Sequence, residues 1–132
     1  MNYGFIYCLS NPSMPGIYKV GKTDRAPSQR CFELSNSTSV PEPFGILFYV
    51  EVDNALQTER ALHRDLDAVR VSPNREFFQC PPLVIYNWLL SNCDIQTDWL
   101  DGDMQYELAK EREEKSATVN QKPVAAEAGE EW

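Results

Sequence analysis

The chain has 132 residues, a formal net charge of −8 and a hydrophobic content of 42%. These values predict a globular domain with a modest core, and no apolar run approaches the roughly 20 residues of a membrane-spanning helix. The N-terminus lacks a basic segment followed by an apolar one, so we expect a cytoplasmic protein. Four dispersed cysteines and a single histidine do not have zinc-ligand spacing, which predicts free thiols.

The negative charge is concentrated in the second part of the chain. Residues 1–78 contain eight Lys and Arg against nine Asp and Glu, whereas residues 79–132 contain four against eleven. The nearly neutral first part can therefore present a basic face made by Lys19, Lys22, Arg25 and Arg30. The overall balance argues against tight, non-specific binding to duplex DNA, which a strongly basic surface would provide.

A hairpin and a short helix are predicted at the N-terminus. Residues 3–9 and 17–21 are rich in aromatic and β-branched residues, and the turn-forming segment between them contains Asn, Pro and Gly. Pro27 suits the first turn of a helix, because its missing N–H has no partner there. In that helix Arg30 lies beside an apolar stripe and should lean towards the sheet.

The next predicted elements are a strand over residues 44–52 and a helix over residues 55–70. Helical spacing places Glu59 inside the apolar stripe of this helix, one turn from Leu62. A carboxylate facing the core is unfavourable unless it meets a cation, a metal or hydrogen-bond donors. His63 follows Glu59 by one turn, so the two side chains should be neighbours.

The remaining pattern completes an α+β fold. We expect a small, three-stranded and mostly antiparallel sheet flanked by helices, with an extra short strand and a C-terminal helix. The predicted elements are a strand over 75–79, a helix over 83–91, an acidic turn-like segment over 94–103, a charged helix over 104–115 and disorder over 116–132. This division predicts a domain over 1–93 and an acidic extension over 94–132.

Five short motifs in order resemble the GIY-YIG nuclease superfamily. The similarity is greatest to the small phage and bacterial domain named after open reading frame 172 of phage T5, and it spans residues 3–79. The matching residues are Gly-Phe-Ile-Tyr at 4–7, Tyr-Lys-Val-Gly at 18–21 followed by Thr23, Arg30, Glu-x-x-Leu-His at 59–63 and Glu-Phe-Phe at 76–78.

The resemblance implies metal-dependent hydrolysis of phosphodiester bonds in nucleic acid, with DNA as the expected substrate. Tyr7 would act as the general base or orient it, Glu59 would hold one Mg²⁺ or Mn²⁺ ion, and Arg30 would bind the scissile phosphate. His63 would position water or serve as an additional acid or base. Either Lys19 or Tyr18 would neutralise charge opposite Arg30.

Further substrate contacts are expected from the basic face and the second motif, and the resemblance leaves alternatives open. Lys22, Thr23 and Arg25, together with Tyr18, are the candidate substrate-binding residues. The asparagine that ends many sites of the superfamily has two candidate counterparts, Asn74 and Glu76. A homodimer is one option, because cleavage of both strands by one site requires two copies or a reorientation.

Two alternatives to an enzyme remain open. The first is a catalytically weak or inactive module that binds nucleic acid or a host protein. The second is a phage regulator or counter-defence factor that acts on a host protein through residues 94–132. For an enzyme, we expect Tyr7, Arg30 and Glu59 to line one shallow concave surface of the sheet.

Overall fold

The computed structural model describes residues 3–37 and 40–130, with side chains described up to residue 117. In chain order the elements are β1 (Gly4–Ser10), β2 (Tyr18–Thr23), α1 (Pro27–Ser35), β3 (Gly45–Val52), α2 (Ala55–Asp65), a 3-10 turn (Asp67–Val69), β4 (Phe77–Phe78), α3 (Pro82–Asn92), β5 (Thr97–Leu100) and α4 (Gly102–Glu130). None of the described helices combines the length and hydropathy needed to cross a bilayer.

The strands form one sheet in the order β4-β2-β1-β3-β5, and every neighbouring pair is antiparallel. The predicted α+β class is confirmed, but the prediction of a three-stranded sheet is wrong, because the sheet has five strands. The strand that was missed is β5, which lies in the segment predicted to be a turn. It pairs with residues 48–51 of β3, and this tertiary pairing outweighs the weak local strand pattern.

The two faces of the sheet carry two separate apolar cores. The larger core packs residues of α2, α3 and α4 against one face, including Val20, Phe48 and Leu62. The smaller core lies under α1 on the other face and contains Tyr7 and Cys31. Alternation along β1 separates the two cores, because Ile6 and Cys8 face one way and Tyr7 and Leu9 the other.

Two predicted boundaries differ from the structure for reasons of tertiary packing. Helix α2 ends at Asp65 instead of residue 70, and Arg70 forms a bridge with Phe78 of β4. The chain must leave the helix to make that bridge. Helix α4 extends to Glu130, over part of the segment for which composition predicts disorder, and residues 131 and 132 lie outside the described part of the chain.

Candidate active site

The candidate site lies at the edge of β2 where its pairing with β4 ends, while its pairing with β1 continues. The short strand β4 pairs only with Tyr18 and Lys19, and the N–H of Val20 still reaches the carbonyl of Glu76 at 3.0 Å. Antiparallel alternation directs the next outward groups, the Val20 carbonyl and the Lys22 N–H, away from β1. An unpaired strand edge of this kind must be covered or solvated.

Two side chains of α2 cover this edge. His63 Nε2 donates to the Val20 carbonyl at 2.9 Å, and Glu59 accepts a hydrogen bond from the backbone N–H of Lys22. Glu59 lies within the apolar stripe of its helix because the stripe points at the sheet, where the strand edge supplies a donor. The two residues that the helix pattern singled out therefore extend the sheet edge with side chains.

A second carboxylate joins them from the segment before β4. One ligand atom each from Glu59, His63 and Glu76 lie within 4.8 Å of one another, and all three residues are half-buried. Both ring nitrogens of His63 are already engaged, because Nδ1 accepts from Arg70 Nη2 at 3.2 Å and Nε2 donates to Val20. The ligand atoms of this cluster that keep lone pairs for a cation are therefore the carboxylate oxygens of Glu59 and Glu76.

Lys19 is attached to this carboxylate pair. Its Nζ lies 3.3 Å from Glu76 Oε1 and 5.3 Å from the centre of the Phe77 ring, and its side chain is only 14% exposed. The partly buried ammonium has Glu76 as its charged partner, which fixes its position at the site.

Tyr7 reaches the same place across β2. It is opposite Gly21 in the sheet and only 2% exposed. A Cβ at position 21 would lie 2.5 Å from the Tyr7 hydroxyl and 3.2 Å from Glu76 Oε1. The glycine therefore leaves the space in which the phenol and the carboxylate approach each other, which is the physical reason for glycine at this point of the motif.

Burial and neighbouring negative charge raise the pKa values of Tyr7 and Glu59. The pKa of Tyr7 is raised mainly by burial, the Arg30 guanidinium opposes the shift, and Glu76 and Glu59 add to it. The pKa of Glu59 is raised by burial and by the charge of Glu76, and His63 and Lys22 oppose that shift. A bound cation would relieve the repulsion between the two carboxylates.

The guanidinium groups are on the solvent side of the cluster. Arg30 lines a polar cavity of about 390 Å³ together with Lys22, Thr23 and Arg25. Glu33 accepts two hydrogen bonds from Arg25, at 2.8 and 2.9 Å, and lies 3.5 Å from Arg30 Nη1. Three cations therefore surround one open cavity, and two of them share a carboxylate partner.

Of the predicted substrate-binding residues, Tyr18 lies elsewhere, and Thr23 lines the cavity but its hydroxyl is engaged within the protein. Tyr18 is on the opposite face of β2, where it packs against the larger core and lines a cavity with Pro81 and Pro82. Thr23 is 6% exposed, and its hydroxyl accepts the backbone N–H of Arg25 at 3.1 Å, so it shapes the turn before α1. Of the two alternatives for the second motif, Lys19 shares the face of Tyr7.

The expectation that Tyr7, Arg30 and Glu59 line one concave surface of the sheet requires correction. Helix α2 packs on the face opposite Tyr7, and Glu59 reaches the shared cluster at the strand edge. Sequence reasoning offered Glu76 only as one of two candidate counterparts of the asparagine that ends many sites of the superfamily, and did not place it among the catalytic or metal-binding residues. Its place became evident only when the chain folded β4 beside Lys19.

Together the fold and this site define a small nuclease-like α+β domain. The family model described as the T5orf172 domain matches residues 4–93, and the chain belongs to this family, part of the GIY-YIG-like, nuclease-related group. The resemblance seen in the sequence is thereby confirmed. No match was found among curated proteins or among solved structures.

Proposed function

We propose that the protein is a metal-dependent endonuclease that hydrolyses phosphodiester bonds, with DNA as the expected substrate. The observation that carries the proposal is the approach of the Tyr7 hydroxyl and the Glu76 carboxylate to one point above Gly21, with Glu59 and Arg30 close enough to act on them through their charges. A phenol, a guanidinium and a carboxylate pair supply the proton-transfer, phosphate-binding and cation-binding groups that phosphodiester hydrolysis needs.

The carboxylate pair fits a hard divalent cation. Glu59 and Glu76 would hold Mg²⁺ or Mn²⁺, because hard cations prefer oxygen ligands and these two carboxylates raise each other's electrostatic energy. When bound, such an ion stabilises negative charge on the phosphoryl oxygens and lowers the pKa of water. Lys19, held 3.3 Å from Glu76, would place a further positive charge near the leaving oxygen.

The other side chains divide the remaining tasks. Arg30 would bind the scissile phosphate at the mouth of its cavity, and Lys22 and Arg25 would contact flanking phosphates. The raised pKa of Tyr7 keeps its hydroxyl protonated in the free protein, so it would orient the attacking water or release its proton when positive charge arrives. His63 would position Glu59 by holding the adjacent strand edge.

A cleavage assay tests the proposal. Plasmid and short duplex DNA are incubated with the protein in Mg²⁺ or Mn²⁺, with chelator as the blank, and Glu59→Gln is compared with the exposed control Glu113→Gln on α4. We expect nicking that requires the metal, survives Glu113→Gln and disappears in Glu59→Gln. Equal behaviour of the wild type and Glu59→Gln would exclude the hydrolytic role.

One observation favours a second candidate, a non-cleaving binding module or phage regulator. Lys19 is paired with Glu76, and Arg25 and Arg30 share Glu33, so these cations are partly neutralised within the protein. The acidic region after residue 93 could then contact a host protein. Deletion of residues 116–132 tests this role, because an unchanged effect on host cells would remove that segment as the effector.

Self-association is part of the same proposal. A monomer with one site would nick one strand, whereas a homodimer would place two sites on a duplex. Sedimentation of the purified protein, compared with the ratio of nicked to linear plasmid, distinguishes the two arrangements.

A further inference from the structure

An aromatic row crosses the sheet on the face that carries Tyr7. It consists of Tyr3 and Phe5 on the β1 side, Tyr49 on β3 and Trp99 on β5. The ring centres are separated by 6.0 Å from Tyr3 to Phe5, 5.7 Å from Phe5 to Tyr49 and 5.9 Å from Tyr49 to Trp99. The last two rings are stacked, with 17° between their planes.

This row is open to solvent at both ends. Tyr3 is 40% exposed and Trp99 is 43% exposed, while Phe5 and Tyr49 are half-buried between them. Helix α1 packs over the neighbouring part of the face, around Tyr7. A row of adjoining aromatic rings that is exposed at both ends is a candidate surface for contact with a partner.

The row continues directly from the candidate active site. Tyr7 is opposite Tyr49 in the sheet, and Tyr49 is opposite Trp99, so the three side chains share one cross-strand line. Neighbouring strands are about 4.8 Å apart, which places Trp99 roughly 10 Å from Tyr7 in the plane of the sheet. A nucleic-acid strand with one phosphate bound by Tyr7 and Arg30 would place its neighbouring nucleotides over Tyr49 and Trp99.

The charge next to the row fits the same occupant. Tyr3 lines the cavity that contains Lys22, Arg25 and Arg30, so one end of the row meets the cations proposed to bind phosphates. Three acidic groups lie near this end of the row: Asp24 lines the same cavity, Asp53 acts on Tyr3 through its charge, and the two oxygens of Glu51 accept hydrogen bonds from Tyr3 and Thr97. The backbone of a bound strand would therefore follow the cationic side, with its bases on the rings.

From this arrangement we infer that the aromatic row is a stacking platform for unpaired nucleobases next to the scissile phosphate. Aromatic rings stack on the flat faces of bases that are not enclosed in a duplex, so the platform prefers single-stranded over double-stranded nucleic acid. The inference deepens the proposed function and rests on it, because it names the structural class of the substrate.

Binding measurements with matched variants test the platform. A fluorescent oligothymidine of twelve nucleotides and a fluorescent duplex of twelve base pairs are each titrated with the protein. The buffer contains a chelator, which prevents metal-dependent cleavage. Trp99→Leu removes the stacking plane but keeps an apolar contact with Tyr49, Trp99→Phe restores a ring, and Tyr106→Leu changes an aromatic side chain on α4 that is 66% exposed. Thermal unfolding confirms that each variant is folded.

We expect Trp99→Leu to weaken single-strand binding about tenfold, the loss of one stacked base, with duplex binding unchanged. Trp99→Phe and Tyr106→Leu should bind as the wild type does. Unchanged single-strand affinity in Trp99→Leu, or an equal loss on both nucleic acids, would overturn the inference. A changed sedimentation coefficient without a change in single-strand affinity would assign the row to a second copy of the chain instead.

The same samples separate this inference from the proposed function. If the wild type nicks duplex DNA but Trp99→Leu binds oligothymidine normally, only the platform is wrong. If the wild type binds neither nucleic acid and cleaves none, both the platform and the nuclease proposal are wrong.

Discussion

The Tyr7 hydroxyl occupies the space that a side chain at Gly21 would need, 2.5 Å from the position of a Cβ there. This contact crosses β2 and brings the phenol towards Glu76, whose Oε1 is 3.2 Å from the same point. The strand glycine and the buried tyrosine are therefore one structural unit, and the candidate site depends on both.

Gly21→Ala tests that unit. The added methyl group would overlap the Tyr7 ring and hydroxyl, so we expect a loss of about 1–3 kcal/mol in unfolding free energy and a loss of cleavage. Gly45→Ala is the matched control, since its Cβ would lie an ordinary 3.6 Å from Ser10 Oγ. Chemical denaturation measures both variants, and an equal stability of the two would contradict the contact.

Tyr7→Phe tests the hydroxyl itself. Because the ring remains in the smaller core, we expect unfolding free energy within about 1 kcal/mol of the wild type, together with a fall in cleavage rate of about 100-fold or more. Tyr106→Phe on α4 should change neither quantity. A Tyr7→Phe protein with wild-type cleavage would remove the phenol from the mechanism.

Glu59→Gln tests the carboxylate through pH. Because the folded state raises the pKa of Glu59, the protonated form favours folding, and this stabilisation is lost as pH rises above the ordinary glutamic acid range, through the raised value. We expect the melting temperature of the metal-free wild type to fall over that window more than that of Glu59→Gln. The amide can still accept the Lys22 N–H, so the variant should fold.

The stabilisation that a bound metal provides should depend on pH in the opposite direction and grow as the pH rises. A divalent cation favours ionised Glu59, so the rise in melting temperature on adding Mg²⁺ or Mn²⁺ should grow with pH over the same window and vanish in Glu59→Gln. A metal-induced rise that persists in Glu59→Gln would place the cation elsewhere.

His63 separates a positioning role from a chemical one. His63→Ala removes the side-chain partner of the Val20 carbonyl and one of the hydrogen bonds of Arg70, so we expect a loss of about 1–3 kcal/mol in unfolding free energy and slower cleavage. His63→Gln retains a donor for Val20 and should recover most of both. If His63→Gln folds as the wild type does but remains as slow as His63→Ala, the imidazole takes part in the reaction.

Glu33→Gln tests the cationic cavity. Removing this carboxylate releases Arg25 and Arg30 for phosphates, so DNA should bind more tightly at low salt, and log Kd should depend more steeply on log salt, by about one unit of slope. Glu42→Gln is the control, because the Glu42 carboxylate accepts from the Ser13 hydroxyl and its backbone carbonyl from Asn11, and neither donor is a cation. A salt slope equal in Glu33→Gln and Glu42→Gln would show that the guanidiniums do not contact phosphate.

The sequence alone determined the local features of this protein. Strand alternation predicted the face of Tyr7, helical spacing predicted an inward carboxylate at Glu59, and the motif order predicted the family. Each of these features depends on residues close together in the chain. At that range the side-chain chemistry and the period of the backbone decide which face of a strand or helix a side chain occupies.

Only the tertiary structure decided which elements become neighbours. The two-residue strand β4 stops beside Lys19, leaves the next part of β2 open to Glu59 and His63, and brings Glu76 beside them. The pairing of β5 with β3 likewise created the aromatic row. Such short elements carry too little local preference to identify themselves, because their stability comes from partners distant in the chain.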